Sequence, residues 1–531
     1  MPQDRNTRGN APQAYIVGGG IAGLAAAVLL IRDGRMPGRN VHLLEQSERI
    51  GGSLDGAGDP DSGYVIRGGR MFEEHFGCTY DLLSTIPSLS DPDVSVSDES
   101  HAFTRRVVTS SRCRLVVDGQ RMEAPPLDLS IGDKLDLAKL SLMPESVIGP
   151  RTIEAYFSPH FFTSNFWAMW CTMFAFQPWH SLVEFRRYMR RFMHLLPGFN
   201  RLEGIHRTRL NQFDSIVRPI IRWLVNEGVE LQTNVAVSEL DFSSAGNVPD
   251  KVTGIVVGRG HETQRIDVAS DDVVLVTLGS MTEASSLGTM EAPAIWQVDP
   301  DRGAWHLWRN IARQSSAFGR PEVFCGQVQK SGWMSFTVTL KDPLFFEFME
   351  AFTGNSAGTG GLVTFKHSNW LMSIVLAYQP HFSNQPDRVW VFWGYALHPE
   401  RRGDLVNKPM LECSGREILE ELVHHLPLGD DRKRVFASAN CIPCAMPFIT
   451  SQFMPRVRGD RPAVVPTGAR NFAFLGQFCE LPDDTVFTVE YSVRTAQVAV
   501  YTLLNLDRKV TPLYRGYLRP GVVFRALRAL A

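Results

Sequence analysis

Apolar positions along this chain fall into runs of two kinds, and the spacing inside each run predicts its element. Short continuous runs at 15–17, 41–44, 271–280 and 471–478 read as buried strands. The first meets glycines at 18, 19, 20 and 23 and passes directly into the apolar stretch 24–31, giving strand, tight turn and helix. A spacing of three or four in Leu182, Phe185, Met189, Phe192 and Leu196 predicts an amphipathic helix, with Arg186, Arg187, Arg190 and Arg191 turned away from the stripe. Another helix is expected over about 488–504. Residues 229–237 and 251–257 read as a hairpin-like pair, 88–100 as a loop of acids and serines, and 105–108 and 114–117 as strands of an insertion. Strands alternating with helices predict an α/β protein.

The spacing Gly18-x-Gly20-x-x-Gly23 adds chemistry to the first unit. A side chain at any of these glycines would obstruct the turn, a phosphate or the helix–strand contact, while a helix N-terminus presents unpaired N–H groups to an anion. About 20 residues on, Glu45 closes the second strand where a dinucleotide site needs a carboxylate for ribose, and it argues against a 2′-phosphate. Gly51-Gly52-Ser53 and the strand 63–70, ending Gly68-Gly69-Arg70, point to FAD. The expected FAD contacts are Gly18, Gly20, Ile21, Ala22, Gly23, Glu45, Gln46, Gly52, Ser53, Gly69, Arg70, Val235, Thr277, Ser280, Phe487 and Thr488. The fold expected is a Rossmann-like, glutathione reductase-like FAD-binding domain (14–90, 205–285 and 437–505), interleaved with a mixed α+β substrate domain (91–204 and 286–436). A tail over 506–531 completes the chain. The alternative for its beginning is an export or membrane segment, since Arg5 and Arg8 precede an uncharged stretch. The four glycines and the ribose acid in register oppose it.

Composition narrows the partners. With 54 basic and 56 acidic residues the net charge is −2, so no global field recruits nucleic acid. Eight scattered cysteines make no disulfide framework, and Cys441 and Cys444 lack the companions of a zinc site, so a cytoplasmic protein without a metal is expected. No second 18-residue apolar run predicts a membrane span. After Asp507 the tail carries Arg508, Lys509, Arg515, Arg519, Arg525 and Arg528 and no acid, interleaved with Leu518, Val522, Phe524, Leu527 and Leu530. It either lies peripherally on the inner membrane face or docks on its own protein. Aromatics crowd 152–197, and either pack a helix on the core or line a channel for a long apolar substrate.

Several longer strings make a specific match. Arg67-Gly-Gly-Arg70, His75-Phe76, Ser84-Thr-Ile-Pro-Ser-Leu89, Asn165-Phe-Trp, Met173-Phe-Ala-Phe-Gln-Pro-Trp-His180-Ser, Arg186-Arg-Tyr188, Asn211-Gln212-Phe213, Gln379-Pro-His381-Phe and the run from Pro482 to Arg494 resemble the oleate hydratase family, also called myosin-cross-reactive antigens. The resemblance spans about 14–505. It implies FAD-containing hydration of the cis-9 double bond of a free fatty acid, oleate and water giving 10-hydroxystearate, without net redox. It also implies Tyr188 as proton donor and Gln212 and His381 as carboxylate contacts. Two positions depart from the family: its glutamate after Gly-Gly-Arg, which orients the attacking water, is Met71 here, and polar carboxylate contacts become Val375 and Ala377. Glu73 is the expected substitute for the water, with Glu74 or backbone near Gly68-Gly69 beside the flavin as alternatives. A flavin-dependent fatty acid oxidoreductase or isomerase, or a lipid-binding flavoprotein of low activity, are the competing readings. The short leader before Ala14, compared with the arms used for dimer contacts in the family, favours a monomer.

Overall fold

A computed structural model describes residues 11–245, 248–260, 262–299 and 301–530. Arg5 and Arg8, which carried the export alternative, lie outside the described residues.

Five short apolar strands form a parallel sheet in the order Phe472–Leu475, Val273–Thr277, Ala14–Val17, Val41–Leu44, Glu230–Gln232. Ile16 stands opposite both Leu43 and Leu275, so the first strand is central and buried on both faces. Parallel strands need crossovers, and here these are long enough for other units to be inserted between them. Helix Ile21–Arg32, with ten buried residues in succession, packs against helix Val489–Leu503 from the far end of the chain.

The second large layer is an eight-stranded sheet, mostly antiparallel, running from Ser286–Leu287 at one edge to Gln120–Glu123 at the other. Ala439–Met446, expected in the nucleotide-binding unit, pairs with Trp333–Leu340 in this sheet instead. Three residues apart on a strand, Cys441 and Cys444 face opposite sides and enter separate cores. All eight cysteines are free and buried. The hairpin Gly56–Asp59 and Gly63–Ile66 ties the layers together: the N–H groups of Tyr64 and Ile66 donate to Thr339 and Thr337 hydroxyls at 2.9 and 3.1 Å.

Three local expectations are corrected. The stretch expected as loop and strand is a helix, Val96–Arg106, capped by Ser95, which accepts the Asp98 N–H at 3.0 Å. Its acids lie in the first turn and Arg105 and Arg106 in the last, complementing the helix dipole. The hairpin pair is Ala236–Ala245 with Val248–Arg259, because Glu230–Gln232 joins the parallel sheet. Helix Leu182–Arg191 exists, but Arg186, Arg187 and Arg191 are buried rather than solvated.

Candidate functional site

The parallel sheet ends at a cleft. Gly18 takes φ +99°, and a Cβ on Gly23 would fall 2.0 Å from the Gly18 carbonyl oxygen, so turn and helix fit together only with glycine at both positions. Gly20 begins the helix without a side-chain cap, leaving the first-turn N–H groups open to the cleft. Glu45 accepts the Gly19 N–H at 2.7 Å and the Ser47 N–H at 2.9 Å, which fixes its carboxylate at the rim. The Thr277 hydroxyl is buried there with no partner among the described residues. An uncapped helix start, glycine turn, fixed acid and orphaned hydroxyl fit a dinucleotide.

Of the expected cofactor contacts, Gly18, Gly20, Ile21, Ala22, Glu45, Gln46, Gly52, Ser53, Arg70, Val235, Thr277, Ser280, Phe487 and Thr488 line this one cleft. Gly23 lies under the turn, and Gly69 lines the two neighbouring cavities. The sequence reading missed Glu283. Its carboxylate accepts the Ala304 and Trp305 N–H groups at 2.7 and 3.3 Å, and burial raises its pKa to about 7.

Against the cleft lies an aromatic-walled cavity, and Arg70, Phe487 and Thr488 belong to both. Tyr188 lines it, 1% exposed, among Phe174, Phe176 and Phe453 with ring centroids 5.0–5.7 Å away. Its hydroxyl donates to the Val486 carbonyl at 2.5 Å. Burial, then Glu184, pushes the phenol well above its ordinary pKa, and Arg70 opposes them. Arg70 itself is drawn down to about 10 by burial, with its guanidinium 4.9 Å over the Phe487 ring. Phe487 holds a left-handed backbone, φ +66°.

Met71 and Glu73 line the same cavity. Burial alone would raise the Glu73 carboxyl, but His194, His75 and Arg191 outweigh it and hold the group far below the ordinary carboxylate range. Oε2 accepts from the His75 N–H at 2.8 Å and lies 2.9 and 3.2 Å from His75 Nδ1 and His194 Nε2, while Oε1 is 2.7 Å from an Arg191 nitrogen. Such a carboxylate is a poor proton acceptor. Glu73, His75 and His194 also cluster closely enough for a metal, but Arg191 already supplies the positive charge.

A third, smaller cavity collects Gln212, His381, Val375 and Ala377. Both amide groups of Gln212 are engaged: Oε1 accepts the Arg70 N–H at 3.0 Å and Nε2 donates to the Arg70 carbonyl at 2.7 Å, so its main role is to clamp Arg70, leaving one N–H to spare. Burial, then Arg207, lowers His381 to about 4, so its ring is neutral near pH 7. Arg207 and Trp393, absent from the sequence reading, line both this cavity and the aromatic one.

The tail docks on its own protein. Tyr514 stacks on His75 with centroids 3.5 Å apart, and helix Pro520–Leu530 packs against 193–201. No described helix is long and apolar enough to cross a membrane.

The architecture is the Rossmann-like flavoprotein fold. It matches a putrescine oxidase solved in a study of cofactor binding (TM-score 0.53, 12% identity) and the cyclohexylamine oxidase from Brevibacterium oxydans IH-35A (TM-score 0.51, 14% identity), each covering 93% of this chain and 99% of the other. Sequence similarity is far higher to two hydratases. The oleate hydratase of Streptococcus pyogenes serotype M49 (strain NZ131) is 42% identical over 512 residues, covering 94% of this chain and 86% of the relative. The linoleate hydratase of Lactiplantibacillus plantarum is 32% identical over 550 residues, covering 94% and 96%. With residues 11–501 matching the family as a whole, the chain belongs to the MCRA family.

Proposed function

We propose that this protein adds water across the cis-9 double bond of a free unsaturated fatty acid, taking oleate to 10-hydroxystearate, with FAD held in the cleft and no net redox change. The observation that carries this reading is Tyr188, a buried phenol in an aromatic-walled cavity that shares Arg70, Phe487 and Thr488 with a dinucleotide cleft. The parallel-sheet unit binds the cofactor, and the unit built on the eight-stranded sheet supplies much of the fatty acid cavity. Gly18, Gly20 and Gly23 would hold the pyrophosphate, Glu45 the adenosine ribose, and Thr277 would offer its free hydroxyl. FAD bound there would supply electrostatic stabilisation of a developing positive charge.

An alkene is a weak base, so proton delivery is the difficult step. The Tyr188 O–H bond breaks as a C–H bond forms from the π electrons, and a water oxygen bonds to the adjacent carbon. A proton lost from that water restores the phenol, so atoms and charge balance. Arg70 favours the transient phenolate, and Val486 holds the hydroxyl until substrate arrives. Glu73 orients the water. Its Oε1, near Arg191 but outside hydrogen-bond geometry, keeps acceptor capacity while the carboxylate's depressed basicity leaves the water proton for the phenolate. About 15 buried methylenes at ~0.8 kcal/mol each give a gross ~12 kcal/mol for the chain, much of it offset by lost motion.

A second reading, a flavin oxidoreductase acting on fatty acids, draws on the fold shared with amine oxidases. A third, a lipid-binding flavoprotein of low activity, draws on Met71. Incubation of the FAD-loaded protein with oleate, followed by mass spectrometry, separates all three. A product heavier by one water supports hydration, one lighter by two hydrogens supports the oxidoreductase, and unchanged oleate that co-elutes with the protein supports the binder. Eight free thiols accord with a cytoplasmic setting, and the outward face of the tail helix, with Phe524 68% and Leu527 53% exposed beside Arg525 and Arg528, suits peripheral contact with anionic lipid.

A further inference from the structure

Arg207 is a partly buried cation without an anion among the described residues. Its Nε and Nη2 are sealed from solvent and make no hydrogen bond, and it forms no ion pair among the described residues. Its closest charged influences are unhelpful: Arg114, itself buried, donates to the carbonyls of Phe199 and Met169 at 2.7 and 3.3 Å and adds positive potential, and His381 is neutral. Burial draws Arg207 down to about 10, so it stays charged near pH 7. An isolated charge in such surroundings is costly, and folded proteins keep one where a ligand completes it.

The two orphaned nitrogens are the informative detail. Nε and Nη2 form the side-on edge of a guanidinium, the edge whose two parallel N–H bonds match a carboxylate. Trp393 supplies a third donor, since its indole N–H is also buried without a partner among the described residues. Both residues line the aromatic cavity that holds Tyr188 and the smaller cavity that holds Val375, Ala377 and His381. Apolar side chains thus occupy the positions where a neutral polar contact was expected, and an unsatisfied cation stands beside them.

We propose that Arg207, assisted by the Trp393 indole N–H, binds the carboxylate of the fatty acid where the two cavities meet, the chain then extending through the aromatic cavity past Tyr188. This rests on the fatty acid reading above. Anchoring by charge takes the place of the neutral hydrogen bonds that Val375 and Ala377 cannot make, and Gln212 and His381 serve to shape the pocket around Arg207.

The test compares oleate with oleyl alcohol, which keeps the chain and double bond but carries no charge, by calorimetric titration of the FAD-loaded full chain. The wild type binds oleate about tenfold or more tightly than the alcohol, the range expected of charge-assisted hydrogen bonds. Arg207→Met removes that preference and leaves alcohol binding within about threefold, Arg207→Lys restores part of it, and Trp393→Phe weakens oleate by a few fold. Without ligand, Arg207→Met melts no lower than the wild type, because it deletes an unpaired charge. An unchanged acid-to-alcohol ratio in Arg207→Met, an equal loss of both ligands, or a lower ligand-free melting temperature overturns the proposal. Hydration with an unchanged ratio removes the anchor and keeps the hydratase, whereas an Arg207-dependent ratio without hydrated product removes the hydratase and keeps the anchor.

Discussion

At Tyr188 burial and Glu184 make the phenol a weaker acid while Arg70 pulls the other way, so the hydroxyl keeps its proton near pH 7. Tyr188→Phe keeps the ring packing and loses one hydrogen bond to Val486, a cost of about 1 kcal/mol. Flavin absorbance and melting then stay close to wild type while hydration, followed by product mass, falls roughly a hundredfold or more. Met71 gives the converse prediction. Its side chain lines the cavity beside Arg70, where a carboxylate would find a counter-charge. Met71→Glu is expected to raise turnover by roughly tenfold, below the full contribution of a positioned base because the new carboxylate is desolvated. Unchanged or lower turnover would place the water elsewhere. Residues with a motif, such as Gly18, Glu45 and Tyr188, were legible because spacing or a long string marked them. Arg207, Trp393 and Glu283 were not, since nothing in one sequence distinguishes an arginine that lacks a partner from one that has it.

Helix Leu182–Arg191 shows how periodicity can be right about an element and wrong about its surroundings. The apolar stripe predicted the helix, but its charged face is buried too: Arg187 meets Glu145 and Glu480 at 2.8 Å, Arg191 meets Glu73, and Glu184 accepts from Arg456 and Arg461 at 2.9 Å. Charges read from sequence as a solvated face belong here to ion pairs with partners on other elements, some of them nearly 300 residues away. Burial would raise Glu184, but Arg461, Arg456 and Arg187 bring it to about 2. Glu184→Gln leaves buried guanidinia uncompensated and is expected to cost about 3 kcal/mol or more in chemical denaturation, a loss below ~1 kcal/mol being the contrary result. Helix Val96–Arg106 was missed for the opposite reason. Its serines and acids resemble loop composition, and only the order, Ser95 then Asp98 and Glu99 with arginines last, reveals the cap and dipole. Ser95→Ala should cost about 1 kcal/mol by the same measurement.

Across the whole molecule, three histidines in separate connecting segments share one electrostatic condition. Burial lowers His180 to about 3, and His381 and His398 to about 4, from an ordinary value near 6.5. His180 is fully buried, and its Nδ1 accepts the Gln177 N–H at 2.9 Å, a bond that protonation abolishes. Because the folded protein holds these rings neutral while the unfolded chain protonates them below pH 6.5, the unfolded state binds more protons on acidification. Their stabilising effect is therefore complete above pH 6.5 and is lost as pH falls towards 4, each ring contributing roughly 2 kcal/mol of loss by pH 5. The depressed carboxylates act later, since Glu184 loses its contribution only as pH falls from about 4.5 towards 2. Melting temperature measured from pH 7.5 to 5 in constant ionic strength should thus fall well before the carboxylates titrate. His180→Gln, which can still accept the Gln177 N–H but cannot titrate, should flatten part of that slope, and a melting temperature constant down to pH 5 in the wild type would contradict the buried-histidine account.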